Sequence, residues 1–197
     1  MAAARIGVFG GTFDPPHVGH LVTAVNVRHD LHLDRLLLVV ANEPWQKVGS
    51  RPITPAADRL AMVEAAVAGV AGLEACALEI GRGGHSYTAD TLAELDELHP
   101  GAELFLVLGA DAATGLPTWE RVEEVRARAS LVIVDRPGEP PPVVPDGWDW
   151  THVEVPRLEV SSTDLRDRVA DGRPLEYLLP RDVVACVRER HLYRGST

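Results

Sequence analysis

Gly10-Gly11-Thr12-Phe13-Asp14-Pro15-Pro16-His17-Val18-Gly19-His20 joins a pair of glycines to two histidines one helical turn apart. Ahead of it, Arg5-Ile6-Gly7-Val8-Phe9 is a short apolar run that reads as a buried strand, and behind it Leu21 to Leu31 has helical spacing. The stretch is therefore a strand-to-helix turn. Glycines at such a turn let the backbone approach a ligand closely and take up φ > 0, while the N–H groups and dipole of the following helix favour an anion. His17 and His20 stand at i and i+3, which puts both imidazoles on one face at the start of the helix as neutral or protonated donors.

Each of these residues alone has a plainer reading: a tight turn at Gly10-Gly11, an N-cap at Asp14, surface histidines. Their joint occurrence at a first strand-to-helix turn points instead to a nucleotide-phosphate site. A protein-held metal is not expected there, because no Cys or third His lies nearby and Asp14 completes a zinc site poorly. Neither a Gly-x-Gly-x-x-Gly dinucleotide fingerprint nor a Gly-Lys-Ser/Thr phosphate loop is present.

Apolar runs of strand length recur at Leu36–Ala41, Leu73–Leu78, Leu104–Leu108 and Ser130–Asp135, with a last candidate at Thr151–Val155. Helical spacing recurs at Ala56–Val67, Thr88–Leu98, Thr163–Ala170 and Arg181–His191. This alternation predicts an α/β fold, a Rossmann-like doubly wound parallel sheet with helices on both faces and closing C-terminal helices. Ligands in such folds bind at the carboxyl ends of the strands, so the chemistry belongs in the loops that follow strands. The proline-rich run Pro137–Pro145 reads as a surface connection.

With 197 residues and no break in composition, one domain over 1–197 is expected. A formal charge of −10 disfavours a general nucleic-acid binder, since nonspecific affinity for polyanions needs a basic surface. Cys76 and Cys186 are far apart in apolar stretches and read as buried free thiols of a reducing compartment. With no leader-like start and no apolar run of spanning length, a cytoplasmic protein off the membrane is expected. Oligomeric state stays open, a homo-oligomer included.

The chain has eighteen arginines and one lysine, Lys47, in the loop Asn42-Glu43-Pro44-Trp45-Gln46-Lys47 after the second predicted strand. A compact ammonium beside a phosphate site suits a role that a planar guanidinium does not, although a lone lysine must fall somewhere and a loop is the usual place. Gly109-Ala110-Asp111 follows the strand Leu104–Leu108, where Asp111 either accepts bonds from ribose hydroxyls or caps the next helix. Trp119 either stacks on a heteroaromatic ring or packs at a helix start. Tyr87-Thr88 opens a helix after Gly81-Arg82-Gly83-Gly84, read as a flexible loop. Ser161-Ser162-Thr163-Asp164-Leu165-Arg166 opens another, with capping-box spacing from Ser161 to Asp164, and offers a second anion site.

On these residues the chain resembles the bacterial nicotinate mononucleotide adenylyltransferases of the nucleotidyltransferase superfamily along nearly its whole length. Residues 10–20 are similar to the family's first ATP motif, of T/HxGH type, and Ser161-Ser162-Thr163 with Arg166 to its second. Pro44-Trp45-Gln46-Lys47, Tyr87-Thr88-Ala89-Asp90-Thr91, Gly109-Ala110-Asp111 and Trp119 follow the family's order. Pro44-Trp45-Gln46-Lys47 departs from the commoner Pro-Pro-His-Lys form towards the actinobacterial one.

The resemblance implies transfer of AMP from ATP to nicotinate mononucleotide, with Mg²⁺ on the phosphates and no covalent enzyme intermediate. It implies that His17, His20, Lys47 and Arg166 act on the phosphates, while Gly10, Gly11, Thr12, Phe13 and Asp14 line them and Gly109 and Asp111 hold the adenosine ribose. Ser161, Ser162 and Thr163 join them around ATP. Asn42, Lys47, Tyr87, Thr88 and Trp119 are implied around the acceptor, with Trp119 stacking on its pyridine ring. Nicotinamide mononucleotide or phosphopantetheine as acceptor, or a noncatalytic nucleotide sensor, are the alternatives. An NAD-dependent oxidoreductase is disfavoured, since the second strand ends at Ala41-Asn42 rather than in an acid.

Overall fold

The structure, a computed structural model, describes residues 3–44, 52–135 and 144–194. Its six strands are β1 (Arg5–Gly11), β2 (Arg35–Val40), β3 (Leu73–Cys76), β4 (Glu103–Gly109), β5 (Ala129–Asp135) and β6 (Trp150–Glu154). They form one parallel sheet in the order β3-β2-β1-β4-β5-β6. The helices are α1 (Val18–Asp30), α2 (Ala56–Val67), α3 (Leu78–Arg82), α4 (Thr88–Leu98), α5 (Ala110–Thr114), α6 (Val122–Arg128), α7 (Ser162–Asp171) and α8 (Arg181–Glu189), with a 3₁₀ turn at Leu116–Thr118.

Alternation along the strands sorts side chains between two apolar layers. Leu37 and Val39 of β2 face one way with Ile6, Val8, Leu104, Leu106, Leu131 and Ile133, against Ala89, Leu92 and Leu95 of α4 and Val125 of α6. Leu36, Leu38 and Val40 face the other way, against Ala24 and Val27 of α1 and Val63 and Val67 of α2. On the far side of α2, Met62 and Ala66 meet Leu165 of α7 and Val183, Val184 and Val187 of α8. This third cluster docks the C-terminal helices on the first half of the sheet, and Arg190 beyond α8 pairs with Asp58 of α2 at 2.6 Å.

From β1 the chain proceeds to β2 and β3 on one side, then returns to β4 on the other, pairing Ile6 with Leu104. At that reversal the loops leaving β1 and β4 diverge and open a crevice at the carboxyl ends.

Several expectations need revision. The strand over Leu73–Leu78 ends at Cys76, because Ala77 caps a short helix, α3, that takes in Gly81 and Arg82 of the supposed flexible loop and stops at Gly83, whose φ is 73°. The segments forming α5 and α6 also coil into helices of five and seven residues. Cys76 and Cys186 are free but only partly buried. Burial is nevertheless the main reason the Cys76 thiol titrates above its ordinary range. Most of the proline-rich run lies outside the described residues.

Candidate active site

Gly10 and Gly11 belong to β1, paired with Val39 and Val40, and neither has the positive φ expected of a glycine turn. The turn is made one step later, at Phe13, whose φ is 49°. Glycine at 11 is required by close approach: an added Cβ would lie 2.7 Å from the Phe13 ring. At Gly10 and Gly109 an added Cβ would meet nothing within 4 Å, so these glycines leave the ends of β1 and β4 bare.

From Thr12 to His17 the chain is buried. Asp14, 1% exposed, is a structural anchor instead of an N-cap. Its carboxylate accepts from the Tyr193 hydroxyl at 2.7 Å and from the Thr54 N–H at 3.5 Å, and its carbonyl accepts from Arg166 Nη1 at 2.8 Å. Burial and the neighbouring Asp14 charge together push the Tyr193 hydroxyl well above its ordinary titration range, so it stays a donor.

The N-cap of α1 is His17, in extended backbone, with His20 at the third helical position. The two rings stack with centroids 3.8 Å apart and planes 25° from parallel. The His17 backbone N–H donates to His20 Nδ1 at 3.1 Å. An Nδ1 that accepts cannot carry a proton, so His20 is the neutral imidazole with its N–H on Nε2. The Phe13 ring meets the His20 ring edge-on at 5.1 Å, and Phe9 lies tilted at 6.2 Å. Gly19 leaves room for this stack, since a Cβ there would lie 3.1 Å from the His17 ring and from Val160.

Phe9 also lines a cavity of about 220 Å³ at the chain reversal, together with Thr23, Val107–Gly109, Asp111, Val134, Asp135 and Val155. Asp111 sits in the first turn of α5, whose N-cap is Gly109, so the capping alternative falls, and Asp111 is among the residues that line the cavity. Asp135, at the end of β5, pairs there with His152 of β6 at 2.6 Å.

The serine cluster divides its work. Ser161 caps α7 by accepting from the Asp164 N–H at 3.2 Å. The Asp164 side chain turns to Arg168 and Arg173, so of the capping-box spacing only the serine half is seen. Ser162 donates to the Pro15 carbonyl at 2.9 Å, and Arg166 reaches Thr163 Oγ1 at 3.0 Å besides the Asp14 carbonyl. The second expected anion site thus abuts the first, with Arg166 between them.

On the opposite side, the Asn42 N–H donates to Ser86 Oγ at 2.8 Å and its side-chain amide to the Gly84 carbonyl at 2.9 Å. Tyr87 is the N-cap of α4 and Thr88 its first residue, both partly buried. Trp119 packs partly buried on the core layer beneath α4 and α6, so its packing role is observed. Two residues on, Arg121 pairs with Asp90 of α4 at 2.7 Å and draws the Trp119 segment towards the Thr88 end of that helix. Lys47, with Trp45 and Gln46, lies outside the described residues.

Sequence reasoning missed Arg59, Ser86, Arg121, Asp135 and Tyr193. Their partners are backbone atoms or distant side chains, which leave no local spacing to read. Among the described residues no group of three or more His, Cys, Asp or Glu could hold a metal ion, and no helix is long and apolar enough to cross a membrane.

The profile of the cytidylyltransferase-like family matches residues 8–168. A probable nicotinate-nucleotide adenylyltransferase of Corynebacterium kroppenstedtii is 44% identical over 195 residues, covering 98% of this chain and 92% of that one. The chain belongs to the nicotinate-nucleotide adenylyltransferase family. A probable member from Streptomyces coelicolor is 44% identical over 95% of this chain and all of its own. Among solved structures, the nicotinic acid mononucleotide adenylyltransferase of Plasmodium falciparum complexed with NaAD shares the fold at a TM-score of 0.74, with 16% identity, covering 96% of this chain and 97% of that one. Family membership makes the chain an enzyme of the nucleotidyltransferase class.

Proposed function

We propose that this protein transfers the adenylyl group of ATP to nicotinate mononucleotide, giving nicotinate adenine dinucleotide and pyrophosphate. The observation that carries the reading is the stacked His17–His20 pair, with His20 Nδ1 accepting from the His17 N–H, beside the bare strand ends of the β1–β4 crevice. An oxygen of the acceptor's 5′-phosphate attacks the α-phosphorus, the bond to the bridging oxygen breaks, and pyrophosphate leaves with its electron pair. Such a displacement needs in-line positioning and donors aimed at phosphoryl oxygens more than it needs proton transfer.

In this reading His17, His20 and the start of α1 receive the phosphates, and Arg166 with Ser161, Ser162 and Thr163 flanks them. Gly109 and Asp111 take the adenosine ribose in the crevice, and Gly10–Asp14 form its floor. Across it, Asn42, Tyr87, Thr88 and Trp119 surround the acceptor, with the Trp119 ring against the pyridine. Lys47 is assigned here to the phosphates from its place in the motif. A divalent ion enters with the substrate as Mg·ATP and offsets charge on the phosphates. The reaction belongs in the cytoplasm, in one domain spanning 1–197.

Pyrophosphate release from Mg·ATP, measured with nicotinate mononucleotide, nicotinamide mononucleotide or phosphopantetheine in turn, tests the proposal. Preference for the first is expected. Preference for another keeps the phosphate chemistry and discards the acceptor assignment, and no release with any of them favours a nucleotide sensor.

A further inference from the structure

Among the described residues, the bulkiest fully buried side chain is a charged one, Arg59, 1% exposed in the first turn of α2. Removing a guanidinium from water is strongly unfavourable unless its donors are met. Here Nε donates to the Thr54 carbonyl at 2.8 Å, Nη1 to the Thr12 carbonyl at 2.8 Å and Nη2 to the Asn42 carbonyl at 3.0 Å. The three acceptors come from three separate stretches. Thr12 begins the buried phosphate loop, Asn42 is where the chain leaves β2 towards the acceptor side, and Thr54 is where it returns to α2.

A guanidinium presents its donors in one rigid plane, so three carbonyls bound to it are fixed relative to one another. We infer that Arg59 is a positioning residue for adenylyl transfer: it holds the ATP-side loop and both ends of the 42–54 connection in one register, so that the two substrates meet in line. The inference rests on the reading above. Arg59 touches no reacting atom and acts through backbone carbonyls. An ammonium in its place keeps the charge but lacks the planar spread of donors, so lysine cannot hold all three.

The test compares full-length wild type, Arg59→Lys and Arg59→Met by thermal unfolding, steady-state kinetics and amide hydrogen exchange. At a temperature where each variant is fully folded, kcat is expected to fall about 10²-fold in both, while KM for either substrate moves less than about fivefold. Exchange is expected to accelerate together at residues 9–14, 42–44 and 52–56. Wild-type kcat in folded Arg59→Lys, or faster exchange confined to α2, overturns the inference and leaves Arg59 a stability residue. Should Arg59→Met fail to fold, Arg59→Lys decides alone. A wild type that releases no pyrophosphate with any acceptor sinks the adenylyltransferase reading instead, and the exchange pattern then decides whether Arg59 locks the three stretches.

Discussion

Between Thr12 and His17 every residue is buried, and the segment is tied from outside by Arg59, Ser162, Arg166 and Tyr193. Across the crevice, Asn42, Ser86, Tyr87, Thr88 and Trp119 are only partly buried: Asn42 is bonded to Ser86, Gly84 and Arg59, Ser86 to the Glu43 carbonyl, and Asp90 to Arg121. In the proposed reading the first is the phosphate side, a buried frame, and the second is the acceptor side, a set of partly buried segments brought to one rim. Displacement at phosphorus tolerates little error in the line of attack, whereas a binding rim can be altered piece by piece.

The difference makes the two sides respond differently to mutation. His20→Ala removes a donor from the frame and is expected to lower kcat by ~10²–10³-fold; steady-state kinetics with saturating Mg·ATP would show it, and a loss confined to KM would move His20 to mere binding. On the rim, Trp119→Ala is expected to raise the acceptor KM ~5–100-fold, the worth of a stacked ring, with the ATP KM nearly unchanged. Equal rises for both substrates would erase the distinction between the sides.

Tyr193→Phe tests the brace itself. It deletes the hydroxyl bonded to the buried Asp14 carboxylate, a loss of about 1.5–3 kcal/mol, or a fall in Tm of roughly 3–10 °C. An unchanged melting curve would mean that the frame holds without its C-terminal tie.

The smallest effect concerns Asp164, whose carboxyl is held below its usual range chiefly by the hydrogen bond from Arg168, with Arg173 adding to it. A depressed acid stabilises the fold above its unfolded pKa, and that contribution fades as the pH falls through the folded value. Asp164→Asn should therefore melt slightly lower than wild type above about pH 5, the gap closing on acidification. A gap that persists in acid would assign the loss to packing at α7 instead of charge.

How far these features could be read from the chain depends on their range. Periodicity located α2 and α4 at their observed ends, because each presents three turns of apolar spacing to a core. The helices α3, α5 and α6, of five to seven residues, are too short to establish a period. The paired histidines were legible from their spacing, whereas the frame around them was not. Arg59 contacts residue 12, 47 positions away, and Tyr193 contacts residue 14, 179 positions away. Gly10-Gly11 was misread as the turn because glycine signals permissiveness without saying whether conformation or close approach requires it. Here a phenyl ring required it.

The Tyr193–Asp14 bond also bears on how the protein is made. A ribosome adding roughly 5–20 residues per second exposes Asp14 on the order of 10–35 s before Tyr193 exists. Through that interval the nascent chain lacks α8, whose docking on α2 completes the third apolar cluster, and the Thr12–His17 segment lacks its tie to Tyr193. A polypeptide abandoned before that point carries both histidines without the finished frame.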